Sequence, residues 1–318
     1  MIRYYAKKNG QLTELEQPET SCWINISPPF SQEELVVLSK QFEIPLDFLI
    51  DSLDIDERSR YEREEAIRLI VVNTPILNKA DENSNEALYI TVPIGIILTP
   101  DHIVTITSHD NPVLQLFLDN KVKNFKPANE DSFVLQILEQ NVYHFLACLK
   151  RLNHTRNVVE RELYNSSRNQ DLRQLLNIEK SLVYFVNTLS SNELLKMKMK
   201  RSDFLGIRED EDKTDLFEDI IIDNSQALEM ANVYTNILNG TMEAYASIIS
   251  NNLNMVIQRL TLVTIILMVP TLVASFYGMN VPVPFSGSDS SASFFYIIIF
   301  SIVVSLLLAW WFRRKRLF

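Results

Sequence analysis

The residues of this chain best suited to chemistry are uncharged oxygens placed along one helical line. At alternating steps of three and four, Asn254, Ile257, Thr261, Thr264, Met268, Thr271, Ser275 and Gly278 share a face, and Asn280 follows two residues on. Every Thr and Ser between 261 and 277 lies on that line. Hydroxyl and amide oxygens can accept hydrogen bonds from the water shell of a cation. Direct capture of an ion such as Mg²⁺ instead calls for carboxylates in near-octahedral array, and this stretch has none. The ordinary reading is that such hydroxyls bond their own backbone and mediate helix packing. Against it, the line continues backward through Gly240, Ala244, Ser247, Asn251 and Asn254, small and polar throughout, which favours the lining of an ion path.

Other chemistry is sparse. His144 and Cys148, four apart on one helix face, could be half of a zinc site, but His154 is out of phase and no further cysteine is near. His102 and His109 flank a strand and a loop and read as ordinary polar residues. The run Glu209–Asp215 (EDEDKTD) reads as a solvated helix start whose charge favours the dipole. The six glycines include no phosphate-binding loop, so nucleotide hydrolysis is not expected, nor any other enzyme activity.

The elements that must position the polar line are membrane helices. Leu260–Tyr277 and Phe294–Phe312 are uncharged apolar runs of 18 and 19 residues, long enough to cross a bilayer. Arg313, Arg314, Lys315 and Arg316 follow the second, which predicts a cytoplasmic tail, and two spans return the chain to its starting side. The protein is thus expected in the cell (inner or plasma) membrane with both termini cytoplasmic. A mean hydropathy near zero hides this division. Of 40 acidic residues only Asp289 lies beyond Arg259, and of 30 basic residues four lie in the tail. That leaves 39 acidic against 26 basic before the first span, a net charge of −13 that argues against a nucleic-acid partner. The N-terminus MIRYYAKKNG has no apolar core, so no signal peptide is expected. Cys22 and Cys148 are expected to be reduced thiols.

Before the spans, SCWINIS, AIRLIVVNTPIL, ALYITVPIGIIL and HIVTITS read as strands. Ser31 with Glu33 and Glu34 marks a helix start ahead of an apolar stripe at Leu35, Leu38 and Phe42, and Pro45 restarts the helix. From Ser132 the period is helical: Val134, Ile137, Leu138, Val142, Phe145, Leu149, Leu152, Val159 and Leu163 form one stripe. After a break at 166–170, Leu172, Leu175, Leu176, Leu182 and Phe185 form a second, giving an antiparallel pair. A third helix, from about Asp212 to Ser275, has one Gly and one Pro and would be a rod roughly 95 Å long. A seam of Ala227, Ala231, Tyr234, Leu238, Tyr245, Ile248 and Met255 lies beside its polar stripe, and suggests that several copies pack together. The fold class expected is an α+β membrane protein. Its divisions are a cytoplasmic α/β domain at 1–130, a helical pair at 131–205, the cytoplasmic part of the long stalk helix at 206–259, a first span at 260–277, an outer loop at 278–293, a second span at 294–312 and a basic tail at 313–318. The second span shows no comparable stripe and is expected to face lipid.

Tyr277-Gly278-Met279-Asn280, closing the first of two C-terminal spans with a basic tail after the second, resembles the CorA family of divalent-cation channels. LDIDERSR (53–60) before RLIVVN, and GIILT (95–99) before Ile103–Ile106, are similar to family patterns as well. The resemblance implies a homopentamer in the membrane that passes Mg²⁺ through five first spans, with the Gly278-Met279-Asn280 motif at the outer mouth and Asn280 forming a selectivity ring. It carries pore positions onto Asn254, Ile257, Leu260, Met268, Thr271 and Asn280. Leu260 neighbours Thr261 of the polar line, and the two stand as alternatives for the axis-facing position. The family's regulatory Mg²⁺ site carries over to Asp219, flanked by Glu218 and Asp223, with Asp81 of a neighbouring subunit as its partner acid. The outer loop VPVPFSGSDSSAS departs from the best-known members, whose loop carries an acidic Met-Pro-Glu-Leu segment. Transport of zinc, cobalt or nickel by the same fold is an alternative, and a membrane-anchored sensor without an ion path is one of a different class.

Overall fold

The structure is a computed structural model that describes residues 1–8, 11–79, 86–165, 169–279 and 290–315. Chain contacts divide it into two units, Met1–Asn239 and Gly240–Phe318.

The first unit is built on a seven-stranded sheet. Its strands are β1 (Ile2–Lys8), β2 (Gln11–Leu15), β3 (Trp23–Ile26), β4 (Arg60–Glu64), β5 (Ile67–Leu77), β6 (Tyr89–Leu98) and β7 (Ile103–Thr107), in the order β2-β1-β3-β7-β6-β5-β4. Only β3 and β7 run parallel; each remaining pair is antiparallel. The four strands expected from β-branched runs are β3, β5, β6 and β7. The hairpin β1–β2 and the charged strand β4 (RYERE) were not expected. They lie at the two margins of the sheet, where one side of a strand is free and apolar alternation is weak.

Both faces of the sheet are covered, which is why its central strands are continuously apolar. Ile24, Leu69, Val71, Ile97, Val104 and Ile106 face α1 (Gln32–Gln41) and α2 (Leu46–Asp51). The capping box at the start of α1 is complete: Glu34 N–H donates to Ser31 Oγ at 3.2 Å, and Ser31 N–H to Glu34 Oε2 at 2.9 Å. Leu35 and Leu38 are buried, and Pro45 stands at the N-cap position of α2 without a side-chain hydrogen bond. Gly95 of β6 lies against the end of α2, where a β-carbon would fall 2.1 Å from Ser52 Oγ.

On the other face, Trp23, Ile70, Val72, Ile94 and Ile96 pack with α3 (Pro112–Leu118), α4 (Glu130–Asn165), the C-terminal part of α5 (Asn169–Ser202) and the first turns of α6 (Glu211–Tyr277). Trp23 is fully buried, donates its indole N–H to Thr105 Oγ1 at 2.8 Å and meets Phe133 edge-on at 5.2 Å. All nine apolar positions of the α4 stripe are buried. On α5, Leu175, Leu182 and Phe185 are buried but Leu176 is 37% exposed; Ile178, one helical step from Leu175, fills the packed face instead. Of the break expected at 166–170, residues 166–168 lie outside the described residues and α5 has begun by Asn169.

Helix α6 is continuous for 67 residues, close to the bounds expected. In its seam Ala227, Ala231, Leu238 and Tyr245 are buried and Tyr234 is half-buried, whereas Ile248 and Met255 are each 42% exposed. The second unit pairs the rest of α6 with α7 (Ser290–Arg314). Each has an apolar window of membrane-spanning length. The Arg314 guanidinium lies 5.3 Å over the Trp310 ring, an arrangement suited to the interface at a span's end.

Candidate functional site: the exposed polar face of the first span

Within the second unit, α7 covers one face of α6 and leaves another open. Leu262 is buried, and Ile266, Val269, Pro270, Val273 and Tyr277 are half-buried. These positions recur every three or four residues and define one stripe. At about 100° per residue the polar line lies roughly half a turn around the helix from it. Asn254, Ile257, Leu260, Thr261, Thr264, Met268, Thr271, Ser275, Gly278 and Met279 are all exposed. Leu260 and Thr261 are both open, on either side of the line's centre. Further back, Gly240, Ala244, Ser247 and Asn251 are exposed as well.

The threonine hydroxyl protons on this line are committed to the helix. Thr261 donates to the Ile257 carbonyl at 2.8 Å, Thr264 to Leu260 at 2.9 Å and Thr271 to Leu267 at 3.1 Å. A hydroxyl that has spent its proton on the backbone presents only acceptor lone pairs outward. Back-bonding, the ordinary expectation for a membrane helix, therefore gives the three threonines of the exposed line one chemical sense. Their hydroxyls accept hydrogen bonds and do not donate them, while the exposed Asn254 amide can do both.

The line ends where α6 ends. Gly278 N–H donates to the Ala274 carbonyl at 2.9 Å, and Met279 N–H to Phe276 at 3.3 Å. A β-carbon on Gly278 would lie 3.3 Å from the Ala274 oxygen, so glycine gives the closing turn room. Asn280, the expected ring residue, lies outside the described residues, as does Asp81.

The second span carries a feature the sequence reading overlooked. Its covered stripe is Ile297, Ser301, Val304, Ser305, Leu308 and Phe312, and Ser305 Oγ lies 3.4 Å from the Ile266 carbonyl of α6. Two serines four apart in an otherwise apolar run were the available signal.

Three acids of the first unit act on one tyrosine. Asp219 is exposed and Asp223 half-buried on α6. With Glu139 of α4 they place negative charge beside Tyr143, whose pKa is raised by burial first and by Glu139, Asp223 and Asp219 after it. Glu218 is instead paired with Lys200 of α5. Glu139 and Tyr143 were not singled out from sequence, because their nearness to α6 is a tertiary fact. Among the described residues no group of three or more His, Cys, Asp or Glu is arranged to hold a metal ion within one chain.

His144 and Cys148 meet at 3.8 Å, but His144 Nε2 donates to the Pro75 carbonyl at 2.9 Å. Burial pushes the Cys148 thiol up to about 12, which keeps it protonated at neutral pH. Cys22 and Cys148 are both free and buried.

An α/β domain, a long helix and two apolar C-terminal helices define this chain as an α+β membrane protein of two-span type. Residues 18–314 match the family model described as CorA-like Mg2+ transporter protein, and the chain belongs to that family of divalent-cation transporters. It is 27% identical over 280 residues to the cobalt/magnesium transport protein CorA of Methanocaldococcus jannaschii, covering 86% of each chain. It is 22% identical over 264 residues to the protein of the same name from Thermotoga maritima, covering 82% of this chain and 73% of that one. The complete structure of the M. jannaschii CorA magnesium transporter superposes with a TM-score of 0.80 at 23% identity, over 99% of this chain and 98% of the other.

Proposed function

We propose that this protein is a Mg²⁺ influx channel in which copies of α6 surround a pore and present the polar line to it. The carrying observation is the placement of that line on the face of α6 opposite α7, exposed and lined by acceptor oxygens. Family membership and the cobalt/magnesium relatives favour the same reading. The assembly is a homopentamer with both termini cytoplasmic, 260–277 and 294–312 as the spans, and 278–293 as the outer loop. Everything before residue 260 and the tail at 313–318 lie in the cytoplasm.

Mg²⁺ gives up its water reluctantly, and the protons of its bound waters point outward. A wall of acceptors can hold that shell without stripping it. Asn280 at the mouth would select by hydrogen-bonding the hydrated ion, and rings of Ile257, Leu260 and Met268 would close the path by excluding water. Two charges moving through 100 mV gain about 4.6 kcal/mol, enough to drive entry without a nucleotide. Asp219 and Asp223, with Asp81 of a neighbouring subunit, would hold a regulatory Mg²⁺ between subunits and keep the channel shut when the cell is replete.

Flux into vesicles loaded with a Mg²⁺ indicator tests the reading. The wild-type protein should carry Mg²⁺, and Asn280→Ala should abolish flux while leaving the pentamer intact by mass photometry. A panel of Co²⁺, Ni²⁺ and Zn²⁺ ranks the cargo. Normal Mg²⁺ flux in Asn280→Ala would refute the selectivity ring, and absence of flux for every ion in the wild type would refute the channel.

A further inference from the structure

Ile266 stands four residues before Pro270 in α6, and the peptide nitrogen of Pro270 carries no hydrogen. The Ile266 carbonyl therefore lacks the N–H that would take it in a regular helix. In hydrocarbon no water replaces that partner, and an unpaired backbone oxygen is costly. Proline within a membrane helix is tolerated where a neighbouring side chain restores the bond.

Here the neighbour is α7. The Ser305 hydroxyl lies 3.4 Å from the Ile266 oxygen and 2.9 Å from the carbonyl of Ser301, four residues back in its own helix. It sits on the covered stripe of α7, and Ile266 and Pro270 sit on the covered stripe of α6. One hydroxyl carries one proton, so the two carbonyls share a single donor. Ser301 O lies where a regular helix has its own N–H donor, whereas Ile266 O does not. The orphaned carbonyl is thus the acceptor that gains more from the proton.

We propose that Ser305 is a positioning residue of the first span, whose hydroxyl caps the carbonyl that Pro270 leaves unpaired and ties the two spans together at that point. The joint lies within one turn of Met268 and Thr271 on the exposed line, so it steadies the stretch of α6 that carries them. The shared proton also gives the joint two arrangements. Donated to Ile266 it bridges the spans, and donated to Ser301 it leaves the proline turn free to open.

Hydrogen–deuterium exchange of peptides covering 262–275, on the full-length protein in lipid nanodiscs, tests this without any metal flux. Its result therefore stands apart from the transport reading. Ser305→Ala keeps the small size but loses the donor, and should speed exchange about three- to fivefold, the scale of one hydrogen bond between membrane helices. Ser305→Thr keeps the donor and should exchange like the wild type. Pro270→Ala returns an N–H to the Ile266 carbonyl, so adding Ser305→Ala to it should change nothing. Wild-type exchange in Ser305→Ala, or an equal acceleration with and without Pro270, would overturn the proposal. Should Pro270→Ala fail to assemble, the Ala and Thr variants at 305 decide alone, and equal exchange in the two overturns it.

Discussion

The Nζ of Lys196 on α5 donates to Oδ1 of Asn224 on α6 at 2.6 Å, and the Asn224 amide donates onward to the Leu189 carbonyl at 3.0 Å. Both side chains are fully buried. Burial lowers the Lys196 pKa from 10.5 to about 7, opposed by the nearby charge of Glu193. The unfolded chain protonates this lysine below about 10.5 and the folded protein only below about 7. Stability therefore falls as the pH drops from 10.5 to 7, and this group adds no further change beneath 7. Lys196→Met, uncharged and similar in length, should flatten that slope and leave the protein at pH 7 no less stable. Melting temperatures of both proteins from pH 6 to 10 check this; parallel curves would exclude Lys196 as the source.

Met268, 63% exposed on the polar line, is expected to contribute an apolar ring that keeps water from a closed pore. Met268→Ser should raise conductance or hold the channel partly open at high internal Mg²⁺. Patch recordings across internal Mg²⁺ concentrations measure it. Currents that match the wild type throughout would take Met268 off the pore wall.

Asp219 is exposed and carries no ion pair among the described residues. Its charge shares the surroundings of Tyr143 with Glu139 and Asp223, and crowded carboxylates gain from a cation between them. Asp219→Ala should shift inhibition by internal Mg²⁺ to higher concentration, about tenfold if one carboxylate supplies a charge-assisted contact of the usual strength. It should also leave the cytoplasmic part open to protease in millimolar Mg²⁺. Superimposable inhibition curves and equal protection would remove Asp219 from regulation.

Asn192 completes a strand that runs past its neighbour. The β4 register ends with Arg60 opposite Val71, so Asn73 lies beyond it. Asn73 N–H donates to Asn192 Oδ1 at 3.2 Å, and its carbonyl accepts from Asn192 at 2.9 Å and from Asn141 at 3.0 Å. Asn192→Ala leaves that buried N–H unpaired and should cost about 2–3 kcal/mol. Denaturant unfolding followed through Trp23 would show it as a lower midpoint, and an unchanged midpoint would mean water takes over the amide's role.

The helices were legible where periodicity is strong. The whole α4 stripe is buried as its spacing predicts, and the cap at Ser31 forms with Glu34 as a capping box. Strand β4 is not legible in the sequence because RYERE has no apolar alternation. It is held by pairing to β5 and by Arg60, which bonds Asp51 at 2.8 Å and Glu57 at 2.7 Å and also pairs with Glu62. The second span was expected to carry no stripe, yet Ser301 and Ser305 mark the side that meets α6. Two serines are too few to show a period against so uniformly apolar a run.

What the sequence by itself determined is which residues share a face. Helical phase is local, so Thr261, Thr264, Met268 and Thr271 fall on one line whatever surrounds them. The Gly278-Met279-Asn280 motif and its place before a second span likewise needed nothing but the order of residues. Tertiary structure decided which faces are covered. That α7 packs opposite the polar line, that Ser305 reaches the carbonyl freed by Pro270, and that Lys196 is sealed against Asn224 all depend on elements distant in sequence. Local periodicity gives a side chain its direction. Burial and hydrogen-bond partners across helices arise only when the chain brings a second surface to meet it.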